Sequence, residues 1–322
     1  MTQSGHERAA FAALTCYSHS REGIQMASGS RAFALTAILS AWLTSAAVPE
    51  SFQVGCSSLP FSAQTEARPI DHTCGNGGST QTGPKGIQNR LKNNLCSTGQ
   101  PTTLTFEDFR SLQEQVRTLN ITFGATFSGG ERVEHFPQDR SELSSGKLHT
   151  LGGRPINEGD KVQIVALMED PHYSDVGPGK GEDVNCHDET EEGNDIHITL
   201  VETPAPPKPG KDDPNAAQKE AAFNEVLCTG IVAEVIPHFR PKAFEVNVLA
   251  PIADQHIPVR ISGQLFFDAS HHLCRGPAPG RGDPARASLW EIHPIYSIDV
   301  CRNRTLGECP ATDEAVWTPI RQ

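Results

Sequence analysis

A mainly β fold, an OB-like antiparallel barrel with enlarged loops and an N-terminal helix, is predicted from three observations. Short β-branched runs recur from "EGDKVQIVALM" at 158–168 to "LWEIHPIYSIDV" at 289–300. The segments between them lack the spacing of βαβ crossovers, which disfavours a parallel doubly wound sheet. A Gly-Asp turn at 159–160 leads into the first run, as suits a small barrel with tight connections. Composition agrees: 28 Gly and 24 Pro beside 37% apolar and 6% aromatic residues imply many turns around a core of Val, Ile, Leu and Ala. A β-sandwich is the competing arrangement.

Taken in order, residues 1–47 read as a leader, with Met26 the expected true start. Arg31 precedes an uncharged stretch from Ala32 to Leu43, and Ser45 and Ala47 give a small-x-small cleavage site before Val48. The stretch falls short of the roughly 20 apolar residues of a membrane span. A retained anchor is the alternative, but no stable span is expected in the mature chain. Residues 48–73 lack periodicity and are expected to be an exposed lead-in.

Residues 74–150 are read as a disulfide loop followed by a helix packed on the barrel. In "LTFEDFRSLQEQVRTL", 104–119, Thr105 can cap the helix, and Glu107 and Asp108 suit its first turn. Phe106, Phe109, Leu112, Val116 and Leu119 form a stripe at three- and four-residue spacing. The OB-like domain occupies 151–302. Its expected strands are "KVQIVALM", "DIHITLV", "VLCTGIVAEVI", "AFEVNVLA", "IPVRISGQLFF" and "LWEIHPIYSIDV". A polar insertion and the Pro-rich "ETPAPPKPGKDDPNAAQKE" interrupt the series, the latter ending in a helical turn or two. Residues 303–322 form a tail.

Eight of the nine cysteines follow the cleavage site, an even count that favours disulfides in a secreted or periplasmic protein. There is no CxxC pair. Cys74–Cys96 and Cys301–Cys309 are the expected local bridges, and Cys228, inside an apolar run, fits a free thiol best. Formal net charge is −12, and removing the leader leaves 24 basic against 37 acidic side chains. Without a basic stripe, such a chain is a poor match for nucleic acid.

Two strands carry the same unusual pattern of acid, Ile and His: Asp195 with His197, and Glu291 with His293. Side chains alternate along a strand. Ile196, Ile198 and Leu200 should therefore point to the core with Asp195 and His197 opposite. Trp290, Ile292, Tyr296, Ile298 and Val300 should likewise oppose Glu291, His293, Ser297 and Asp299. Glu234 and His238 share a face in a third segment, and Pro294 should cause a bulge or mark an edge. If the three segments are neighbours, Asp195, His197, Glu234, His238, Glu291 and His293 converge on one polar surface.

Imidazole nitrogen and carboxylate oxygen suit a divalent metal, with His197, His238 and His293 as its expected ligands. They equally suit a hydrogen-bonded network without metal. No HExxH, GxSxG, Walker or GxGxxG motif is present, and "FDASHH", with Asp268, His271 and His272, reads as a polar turn. The expected function is an exported, non-catalytic barrel module binding a ligand or partner. A metal-dependent hydrolase using the His/acid cluster is the alternative.

"CGNGGS…QNRLKNNLC", "DVNCH…DIHI", "IPHFRPKAF", "SGQLFFD" and "SLWEIHPI" resemble an uncharacterised family of exported bacterial proteins. The resemblance spans about 70–302, has no established activity attached to it, and implies that these segments belong together.

Overall fold

The computed structural model describes residues 50–61, 65–210, 212–276, 278–279 and 283–320, so the expected leader and its cleavage point lie outside the described residues. Helix α1 (Gly83–Lys92) is followed by strand β1 (Thr102–Thr103) and helix α2 (Phe106–Val116). Thr105 caps α2 reciprocally with Asp108: its hydroxyl accepts from the Asp108 amide, and its own amide donates to that carboxylate. Phe106, Phe109, Leu112 and Val116 are buried in the main core, with Leu119 packed at its edge. Two short hairpins follow, β2 (Gly124–Ser128) with β3 (Glu131–His135), and β4 (Leu148–His149) with β5 (Pro155–Ile156).

The barrel strands are β6 (Lys161–Tyr173), β7 (Ile196–Val201), β8 (Ile231–Val235), β9 (Val259–Phe267) and β10 (Trp290–Cys301). Helix α3 (Ala216–Leu227) precedes β8, helix α4 (Val246–Asp254) joins β8 to β9, and β11 (Trp317–Pro319) closes the described chain. The pairing runs β6-β7-β8-β10-β9 and back to β6, a closed five-stranded OB-like barrel. Strand β6 closes it by length, since Lys161–Ala166 pair with β9 while Leu167–Tyr173 pair with β7. One pair departs from the antiparallel expectation: β8 and β10 run parallel, so the barrel is mixed. It leaves no room for the sandwich alternative.

Several local expectations are corrected. "AFEVNVLA" is not a strand; a 3-10 turn over Lys242–Phe244 leads into α4, whose Leu249 and Ala253, four apart, are buried. "VLCTGIVAEVI" divides into the end of α3, a turn and β8. At that turn a Cβ on Gly230 would meet the Leu200 carbonyl at 2.4 Å, so the close approach needs glycine. The helix before β8 is also longer than a turn or two. Pro294 does sit at register shifts in β10, between Ile292 and Ile295 and again before Ser297. Those shifts move Tyr296 off the Trp290 face; it packs with Phe52, Leu95 and Ile236, and its hydroxyl donates to the Asn94 carbonyl.

Four disulfides tie the described residues together: Cys56–Cys96, Cys74–Cys186, Cys228–Cys274 and Cys301–Cys309. Cys301–Cys309 agrees with expectation, whereas Cys74 bridges to Cys186, not Cys96, and Cys228 is not a free thiol. The lead-in is not uniformly exposed, because Phe52 is buried and stacks on His238 at 3.9 Å. The tail adds β11 to the edge of β10, with Arg260 over the Trp317 ring. The described residues all belong to one compact unit.

Candidate functional site

Alternation builds two faces from the same strands. Ile196, Ile198, Ala233, Val235, Trp290 and Ile292 enter the barrel core. On the outer face His197 lies directly opposite Glu234 in the β7–β8 ladder. Ile292 registers with Ala233, which brings Glu291 and His293 beside Glu234 from the parallel neighbour. Residue pairs in such positions are within side-chain reach. The polar face expected from sequence is formed, but it is not a solvated surface. Asp195, Glu234, Glu291 and His293 are all essentially inaccessible to solvent. Helix α1 contributes Lys92 to the same buried face, and the Asp183 turn, tied by Cys74–Cys186, packs close by.

The charged groups form a continuous chain. His197 Nε2 lies 3.2 Å from one Glu234 oxygen, and His293 Nδ1 lies 2.9 Å from the other. His293 is also 3.5 Å from Glu291, which is paired closely with Arg286. Arg286 reaches Asp268 at 3.4 Å, and Asp268 is in turn tightly bonded to His271. Lys92 stands 3.9 Å from Glu234 and 3.8 Å from Glu182. These contacts are uneven in quality: at His197 and His293 the ions are close, but the angles do not make hydrogen bonds.

Burial and charge compete at each group. Burial disfavours the imidazolium of His197, but Glu234 and then Glu182 outweigh it and raise the pKa to about 9. Burial also opposes the charge on His293, yet Glu234 and Glu291 lift its pKa to about 10. Burial would raise Glu234, but His197, Lys92 and His293 hold it well below the ordinary carboxylate value. Asp195 goes the other way: burial and the repulsion of Glu182 push it up to about 7.

A cavity of about 600 Å³ opens beside this cluster. It lies over the outer face of β7, between the loop after β6, the loop after β9 and helix α1. His197, Glu182 and Lys92 belong both to its lining and to the buried chain, and His271 enters it from the other end. Asp175, in the left-handed region at φ 45°, lines it as well and feels both His197 and His271 electrostatically.

Five of the six expected residues, Asp195, His197, Glu234, Glu291 and His293, are brought together. His238 is not among them. It is buried beyond the end of β8, where its Nδ1 contacts Asp71 at 2.8 Å, and burial pulls its pKa down. A metal set of His197, His238 and His293 is therefore not assembled. Asp195, Glu234 and His293 instead form a buried triad that could hold a metal, with one potential ligand atom from each lying within 4.8 Å of the others. Ser297 and Asp299 lie elsewhere on β10, facing Ser262 and Arg260. Asp268 and His271, read as a polar turn, belong to the ionic chain; their three-residue spacing was the available signal. Lys92, Glu182 and Arg286 carried none.

The fold and this face define an OB-like barrel with a polar cavity set over a buried ionic cluster. No known family, curated protein sequence or solved structure matches the chain.

Proposed function

We propose that the protein is an exported binding module whose cavity takes a small, neutral or cationic, hydroxyl- or amine-rich ligand, the chemistry of a saccharide or amino sugar. The cavity carries the reading. Its wall contains seven carboxylates, including Asp170, Asp175, Glu182 and Asp283, against three lysines and three histidines, a poor match for a polyanion. Tyr173 and Phe136 add aromatic surface beside these polar groups, the usual mixture of a small-molecule site. Four disulfides fit an oxidising compartment, and among the described residues no helix is long and apolar enough to cross a membrane. A hydrolase relying on His238 loses support because that side chain is committed to Asp71.

The test is thermal unfolding and calorimetry with neutral oligosaccharides, amino sugars and sulfated oligosaccharides, on protein whose N-terminus is sequenced first. Binding by the first two classes, lost in Asp175→Arg, is expected on a chain beginning near Val48. Binding of sulfated sugars alone, or binding indifferent to Asp175→Arg, would sink the proposal.

A further inference from the structure

We propose that Asp195, Glu234 and His293 form a site for one divalent transition-metal ion, zinc in the first instance, buried beside the cavity. The first observation is an anomaly of satisfaction. Asp195 is fully buried, yet neither of its carboxylate oxygens receives a hydrogen bond from the protein. Glu234 Oε2 and both ring nitrogens of His293 are in the same condition. Buried polar atoms are ordinarily paired, and a carboxylate left with neither oxygen bonded calls for a partner of another kind. These orphaned atoms converge, since the triad's potential ligand atoms all lie within 4.8 Å of one another.

The second observation is charge. Five carboxylates meet in the buried chain: Glu182, Asp195, Glu234, Asp268 and Glu291. Only two permanent cations, Lys92 and Arg286, accompany them. The fixed charges thus leave carboxylates in excess, and one dication reduces that excess. His293 makes its ion pairs with Glu234 and Glu291 and no hydrogen bond to Asp195. A metal ion satisfies Asp195 and Glu234 at once and uses a ring nitrogen of His293 as a neutral donor.

The donor set selects the ion. One imidazole with two carboxylates suits zinc, with manganese as the harder relative; calcium takes six to eight oxygens and no imidazole. Bond lengths of about 2.0–2.2 Å require the side chains to draw together by roughly an ångström. The neighbouring His197 on Glu234 then orients a ligand carboxylate from outside, a role that commonly changes metal affinity about 10–100-fold when removed.

The experiment uses the tag-free, oxidised full mature chain, stripped with a chelator and checked by circular dichroism. Zinc and manganese are added separately, and bound metal is read by elemental analysis and by competition with a chromophoric chelator. One zinc per chain and a higher unfolding midpoint, reversed by chelator, are expected. Asp195→Asn, which keeps the shape of the side chain, should lower affinity at least about tenfold. His149→Gln, exposed on β4 and outside both the cavity and the ionic chain, should retain the metal. Stripped wild-type protein that takes up neither ion, or Asp195→Asn that binds zinc as tightly, overturns the proposal. Sugar binding by stripped protein is measured separately, so failure of the metal site and failure of the ligand reading remain distinct.

Discussion

Replacing Arg286 with Met tests whether the buried chain is a single electrostatic unit. Arg286 is completely buried, with Glu291 on one side and Asp268 on the other. Asp268 keeps His271, Ser270 and Gln88 in the variant, but Glu291 retains only the weaker contact with His293. Removing one partner of a buried pair costs about 3–5 kcal/mol, mostly as the cost of the stranded charge. Burial already pushes the Glu291 pKa up against the pull of Arg286, so in the variant this carboxyl should take up a proton. The destabilisation should therefore be larger at pH 8 than at pH 5. Urea unfolding of oxidised protein at both pH values reads it as a change in midpoint at constant slope. Arg286→Met with Glu291→Leu removes both charges and should recover most of the loss, since apolar replacement of a buried pair is often neutral or better. A loss below about 1 kcal/mol for the single variant, or simple additivity in the double, would refute the coupling.

Trp290, fully buried in the barrel core with its ring 5.2 Å from Phe267, should cost about 3–5 kcal/mol on replacement by Ala, measured by the same unfolding assay. His238 gives a pH prediction of defined sign. Burial depresses its pKa below the ordinary 6.5 despite Asp71, so the unfolded chain holds the extra proton and stability is lost as pH falls below about 6.5. His238→Gln should flatten that part of the stability curve, and an unchanged slope would disprove the assignment.

What was legible in the sequence was what depends on near neighbours. Helix α2 was readable because its cap and its stripe are local, and the Cys301–Cys309 bridge because it spans eight residues. Cys74–Cys186 joins positions 112 apart, a closure set by the folded path and not by spacing. Segment 243–250 misled because Phe244, Val246 and Val248 alternate as in a strand, whereas its packing uses Leu249 and Ala253 on one helical face. Alternation is trustworthy only while the strand lasts. Glu234 lies within β8 and was placed on the correct face. His238 lies three residues past its end, after Pro237, where parity no longer governs direction. Tyr296 failed for the related reason that the shifts around Pro294 reset the count.

The burial of the polar face could not be read at all, and it changes the chemistry most. Parity distinguishes one side of a strand from the other, but not a covered side from a wet one. On a bare barrel, His197, Glu234, Glu291 and His293 would be ordinary solvated charges worth little to stability. Lys92 arrives from α1, on a segment pinned by Cys56–Cys96 and Cys74–Cys186. Glu182 and Arg286 come from the loops before β7 and β10. With water excluded, each uncompensated carboxylate becomes costly and each ion pair consequential. The cluster is therefore a joint product of strand alternation, which aligns the groups, and of disulfide-tied segments, which cover them. Only the first of these is written at short range in the sequence.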